Sequence, residues 1–141
     1  MNERTANATV IIDVPAAKVW EALTKPELVK QYLFGAEVVS DWKVGGQLNY
    51  RGEWEGKQYE DKGTILEIKP NELLKATYFS PMSGREDKPE NYSTLTYTLS
   101  ETNGPTTLTI KQENNISKEA TEQSEKNWNM ILQGIKKLLE N

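Results

Sequence analysis

The side chains able to do chemistry in this chain are acids, amides, hydroxyls and aromatic rings, because it contains no histidine and no cysteine. The lack of histidine removes the usual general base near neutral pH and the commonest transition-metal ligand. The lack of cysteine removes disulfides, thiolate nucleophiles and thiolate zinc sites. Glu53, Glu55, Glu60 and Asp61 lie close together in sequence, and two carboxylates are able to share acid and base roles. Yet Gln58, Glu60 and Lys62 alternate on one face, so the cluster reads as a solvated strand edge. Its spacing is not that of a calcium loop. No phosphate loop, nucleophile elbow or dinucleotide fingerprint occurs. The sequence therefore predicts no catalytic residue, no metal site and no cofactor.

The aromatic residues are the stronger signal. Trp20 and Trp128 fall on helical stripes and read as core. Tyr50, Trp54, Tyr78 and Tyr97 fall on the inferred inward faces of strands. Each has a polar tip that needs a partner if buried. Core packing and the wall of a ligand pocket are equally good readings of these four.

Two kinds of element must position them. Ser117 to Leu139 places Ala120, Ser124, Trp128, Ile131, Leu132, Ile135, Leu138 and Leu139 at steps of three and four, which predicts a long amphipathic helix. Ser117 is its N-cap, with Glu119 and Glu122 near the positive end of the dipole and Lys136 and Lys137 near the negative end. Large residues fill its C-terminal half, while Ala120, Thr121 and Ser124 leave its N-terminal half lean. A cavity is expected beneath that lean half. Gly134 costs such a helix about 1 kcal/mol relative to alanine, which predicts close approach by another element.

The other element is a sheet. Ala6–Val14 predicts a first strand, rich in β-branched residues. Asp13 and Pro15 open a helix over Ala16–Thr24, and Pro26 starts a second over Glu27–Tyr32. Strands follow over Ala36–Trp42, Gln47–Trp54 and Lys57–Ile68, the last with Gly63 as a bulge, and then around Leu74–Tyr78, Tyr92–Leu99 and Thr106–Gln112. Ser80–Asn91, with two prolines and five charges, reads as a flexible loop, and a loop there could gate a cavity mouth. About seven strands result, most joined by short turns. Several carry one apolar face and one face of Thr, Lys and Glu, as in a sheet open to water on one side. The chain of 141 residues suits a single domain over 1–141. Its charge of −4 argues against nucleic acid and anionic membranes as partners. The N-terminal MNERTANATV lacks an apolar signal core, and no run reaches the length of a membrane span, so a cytoplasmic location is expected.

The order and motifs together resemble the START-like (SRPBCC) superfamily, and within it the activator of heat shock protein 90 ATPase homologue-like family. The resemblance rests on VPAAKVWEALTKPELVKQYLFG (14–35), VGGQLNY (44–50), GTILEIKPNELLKATY (63–78), STLTYTLSETNGPTTLTIKQ (93–112) and NWNMILQGIKKLLE (127–140). Tyr32 departs from the tryptophan common there. The resemblance implies an α+β helix-grip (START/Bet v 1-like) fold of order β-α-α-β6-α, a curved antiparallel sheet wrapped on the C-terminal helix around a cavity. The expected pocket is Tyr32, Phe34, Leu48, Tyr50, Trp54, Tyr78, Leu95, Tyr97, Ala120, Ser124 and Trp128. The expected function is non-enzymatic binding of a small apolar or amphipathic ligand, by a monomer or homodimer. Two alternatives stand beside it: a chaperone-associated module that activates an ATPase, and a polyketide cyclase-like enzyme. A buried acid facing the cavity would favour the last.

Overall fold

The structure, a computed structural model, describes residues 4–81 and 84–140, with the side chain of Trp54 outside the described set. Alternation of apolar and polar residues produces eight strands: β1 Ala6–Ile12, β2 Glu37–Ser40, β3 Leu48–Trp54, β4 Lys57–Asp61, β5 Ile65–Lys69, β6 Leu73–Tyr78, β7 Ser93–Glu101 and β8 Thr106–Glu113. Among the described residues three α-helices accompany them, α1 Ala16–Thr24, α2 Pro26–Tyr32 and α3 Lys118–Glu140, with a short 3-10 turn at Pro89–Asn91. The order is thus β-α-α-β7-α, one strand more than expected.

The extra strand comes from Lys57–Ile68, which is broken in two around Gly63, while the register of β5 against β6 shifts further on, between Ile65 and Glu67. β4 belongs to a sheet of order β2-β3-β4, and β5 to one of order β1-β8-β7-β6-β5. All pairings are antiparallel. Between β4 and β5 the backbone serves both sheets. Gly63 O accepts from Leu48 N at 3.0 Å, while Lys62 N donates to Phe79 O at 2.9 Å and Thr77 N to Thr64 O at 2.9 Å. The chain passes so close to β6 that a Cβ on Gly63 would lie 1.8 Å from Thr77 O. Glycine is required there because a neighbouring backbone, not a bulge, fills the space.

The concave face carries the core. Ile65, Leu108, Ile110, Leu132 and Ile135 are wholly buried, with Leu74, Leu95 and Leu99 beside them. Burying one such side chain stabilises the fold by about 1.5–3 kcal/mol. α1 turns Val19, Ala22 and Leu23 into this core. Asp13 does not cap it, contrary to expectation. Instead Glu101 Oε1 at the end of β7 accepts from Ala16 N at 2.7 Å, supplying the anion that a helix N-terminus favours.

α3 begins as the sequence predicts, with Ser117 Oγ accepting from Ala120 N at 3.0 Å. It also runs along the outer edge of β1. Asn7 N donates to Glu125 Oε2 at 3.0 Å, Asp13 N to Glu140 Oε2 at 2.8 Å, and Lys136 Nζ to Ile11 O at 2.7 Å. Side chains of one helix thereby satisfy backbone groups that β1, an edge strand, leaves unpaired.

The loop after Phe79 is tied down rather than free. Arg85 Nη2 donates to Asn91 Oδ1 at 2.7 Å, Asn91 Nδ2 to Glu86 O at 2.8 Å, and Lys62 pairs with Asp87. Met82 and Ser83 within it lie outside the described residues.

Two glycines give opposite expectations. A Cβ on Gly134 would meet only Tyr32 Cβ of α2, at 3.4 Å, an ordinary contact. Gly134→Ala should therefore keep its packing and gain about 1 kcal/mol of helix propensity, raising Tm by about 3 °C. Gly63→Ala should cost more than the roughly 1–3 kcal/mol of ordinary overpacking, because the obstacle is backbone. Thermal melts of both variants check the pair, and a stable Gly63→Ala protein would contradict the close approach.

Candidate functional site

The sheet and α3 diverge beneath the middle of the helix. The C-terminal half of α3 is drawn down by Leu132 and Ile135. Further back the sheet raises aromatic rings on alternate residues: Tyr50 on β3, Tyr59 on β4, Tyr78 on β6 and Tyr97 on β7. A cavity of about 470 Å³ lies between them and Ser124, Asn127, Trp128 and Ile131 of α3. Leu33, Phe34 and Ala36, which follow α2, form one side with Met130. Phe34 is 65% exposed and Met130 54%, which places both at the mouth. A larger depression, about 640 Å³, runs over Glu37, Arg51, Glu53, Gln58 and Glu60. It is an open, charged trough and encloses nothing.

The expected pocket residues separate by depth. Phe34, Tyr50, Tyr78, Tyr97, Ser124 and Trp128 come together around the cavity. Leu48 and Leu95 are buried in the core and do not reach it. Tyr32 does not reach it either; it packs against α3 at Gly134 and donates its hydroxyl to Ala22 O at 2.8 Å. Ala120 lines a separate space of about 200 Å³, near Arg85, Asn91 and Ile116. The main cavity therefore sits under Ser124–Ile131, further along α3 than the lean residues suggest. Trp128 does not plug it, because the indole is held to one wall. Its Nε1 donates to Gln112 Oε1 at 2.8 Å, and its ring stands edge-on to Tyr97 at 6.1 Å and 88°. Trp54 belongs to β3, but its side chain lies outside the described set.

Sequence reasoning missed Asp61. It was grouped with Glu60 on a solvated edge, but alternation along β4 turns Glu60 out to Arg51, at 2.9 Å, and turns Asp61 in. The signal was parity: Tyr59 and Asp61 are two residues apart and share the inner face. Tyr78 donates its hydroxyl to Asp61 Oδ2 at 2.6 Å. Asp61 Oδ1 is buried and has no hydrogen-bond partner among the described residues.

Burial raises the Asp61 carboxyl above its ordinary range, against the pull of the Tyr78 and Ser80 hydroxyls. The tyrosines around it shift in the same direction. Burial pushes Tyr50 up to about 12; the Tyr97 hydroxyl draws it down and the Asp61 charge adds to the rise. Tyr78 rises through burial and then through Asp61, while Tyr97 rises through burial and the neighbouring hydroxyls of Tyr50 and Tyr32. At neutral pH these phenols stay protonated and serve as donors. The arrangement is able to enclose an apolar body, orient polar groups and hold or accept a proton at Asp61. Among the described residues no group of three or more His, Cys, Asp or Glu is placed to hold a metal ion. No helix among them is long and apolar enough to cross a membrane.

The family model described as Activator of Hsp90 ATPase homolog 1-like protein matches residues 13–140. A solution structure from Cytophaga hutchinsonii is 47% identical, covers 97% of this chain and 94% of its own, and superposes with a TM-score of 0.85. A crystal structure from Mesorhizobium loti is 25% identical, with 97% of each chain covered and a TM-score of 0.78. The solution structure of the Aha1 dimer from Colwellia psychrerythraea is 16% identical, with 96% of each chain covered and a TM-score of 0.74, a likeness of fold alone. No curated protein matches the chain.

The raised carboxyl gives stability a definite pH trend. A folded chain that binds the Asp61 proton more tightly than the unfolded chain loses stability as pH rises through the interval from the unfolded to the folded value. The cost is absent below that interval and complete above it. Asp61→Asn removes it, so the variant should gain on the natural protein as pH is raised from 3 to 7. Urea titrations across that range check the sign. A gain that shrinks toward neutral pH would show that hydrogen bonding to the charged form outweighs burial.

Proposed function

Because the chain belongs to the Activator of Hsp90 ATPase homolog 1-like family, a group without one common activity to inherit, we propose its function from the cavity: non-enzymatic binding of a small apolar or amphipathic molecule. The observation that carries this reading is the space of about 470 Å³ between sheet and α3. That volume lies in the usual range for small-molecule sites, about 300–1,000 Å³. The walls have the usual make-up as well, with Leu33, Trp128, Ile131 and tyrosine rings offering apolar area and a few convergent polar groups. A core that existed only for stability would gain from closing such a space, since each void forfeits contacts.

A second reading takes Asp61 and Tyr78 as a proton-transfer pair, in the manner of a cyclase-like enzyme. The 2.6 Å contact of an inward carboxylate with a phenol favours it. A chaperone-associated role has thinner support. It rests on the family description and on exposed Val44 and Leu66, whose segments are joined by a hydrogen bond from Gly45 N to Ile65 O.

Native mass spectrometry on protein purified gently from cells separates these readings. Binding predicts an added mass that disappears on denaturation. Ser124→Phe, which fills the space from the helix side and gives up the Ser124 hydroxyl's hydrogen bond to Asn115 Oδ1 at 2.9 Å, should lose that mass while a thermal melt still shows a cooperative fold. Proton-transfer chemistry predicts instead that Asp61→Asn retains a different mass from the natural protein. A bare chain, together with no thermal-shift response to lipophilic compounds, would refute the binding reading.

A further inference from the structure

Among the described residues the cavity lining holds one carboxylate and no basic side chain. Its other polar groups are phenols, amides, an indole N–H and one serine hydroxyl, all neutral at physiological pH. The adjacent Lys62 is turned away to Asp87, and Arg85 is engaged by Asn91. The groups that face Asp61 are Tyr50 from β3, Tyr59 from β4, Tyr78 from β6 and Ser80 from the following loop. The Tyr78 hydroxyl serves Oδ2, while Oδ1 is buried and receives no hydrogen bond within 3.5 Å among the described residues. A negative charge in this position is poorly screened and attracts any cation that enters. Aromatic rings around the same space add a second attraction for cations and none for anions.

We propose that the cavity is selective for ligands with an apolar body and a cationic nitrogen head, the head lying beside Asp61 among the tyrosine rings. The proposal deepens the binding function above and rests on it. A neutral alcohol would fill the same space but leave the carboxylate uncompensated. A fatty acid or phosphate ester would bring a second negative charge to a wall with no basic side chain to receive it.

Three probes with the same apolar body decide the matter: octylamine, octan-1-ol and octanoate, each titrated below its aggregation concentration at neutral pH by calorimetry. The expected order is octylamine first, by about tenfold or more over octan-1-ol, with octanoate weakest. Asp61→Asn should weaken octylamine and narrow its lead over octan-1-ol to the small part that the aromatic rings supply. Equal binding of all three probes, or a preference for octanoate, overturns the cation selectivity while leaving the cavity as a binding site. A preference for octylamine that is undiminished in Asp61→Asn also overturns it, since it would then owe nothing to the carboxylate. Binding of none of them overturns both the selectivity and the function on which it rests. The order of the three probes on the natural protein stands as a test even if the variant does not fold.

Discussion

Everything in this molecule depends on how α3 is held against the concave sheet. The helix is fixed at its C-terminal half, where Leu132 and Ile135 are wholly buried. It is fixed along its length by Glu125, Lys136 and Glu140, which reach the backbone of β1. A rigid rod fixed in this way cannot also follow the curvature of the sheet. Where Tyr50, Tyr78 and Tyr97 stand up from the strands, helix and sheet part and a cavity remains. The space is a geometric consequence of fixing one surface and curving the other. Trp128 keeps it open because its indole is tied to Gln112 on the wall.

The same geometry explains how a carboxylate comes to lie inside. β4 ends at Asp61, where the chain leaves one sheet and is drawn against β6 through Gly63. That crossing brings Asp61 beside Tyr78, whose hydroxyl serves Oδ2 and leaves Oδ1 without a donor. Buried polar atoms are usually satisfied; among the described residues Asn49 Oδ1 and Asp61 Oδ1 are the exceptions, and of the two only Asp61 lines the cavity. The aromatic hydroxyls around Asp61 moderate the charge without cancelling it. The cost of burying Asp61 is borne by the fold, and under the proposed function the same side chain would serve recognition.

Much of the fold was legible because it is written in local pattern. Period-three-and-four spacing gave α3, and Ser117 caps it as its position suggests. The limits of α1 and most strands follow from alternation and turn residues. What was not legible depends on contacts distant in sequence. The break in Lys57–Ile68 exists because Gly63 meets the carbonyl of Thr77, and nothing in the segment itself records that neighbour. The capping of α1 by Glu101 is likewise non-local. In the site, alternation tells which face a residue occupies but not how deep it sits. Leu48 and Leu95 were therefore grouped with Tyr50 and Tyr97, although the leucines belong to the core below the cavity. Asp61 failed differently: its type suggested solvent, and type was weighed above parity.

The helix-to-β1 contacts have a consequence beyond the cavity. An unpaired strand edge is a template for another chain, and proteins that keep one must guard it against polymerisation. Here the guard is α3 itself, since the carboxylates of Glu125 and Glu140 occupy the N–H groups of Asn7 and Asp13 that an incoming strand would seek. Swinging the whole helix away to admit a guest would bare that edge at the same moment. The mouth at Phe34 and Met130 lies beside the segment that leads into β2. Mouth and guarded edge are thus kept apart, so a ligand of the proposed kind would enter without baring β1 to another copy of the chain.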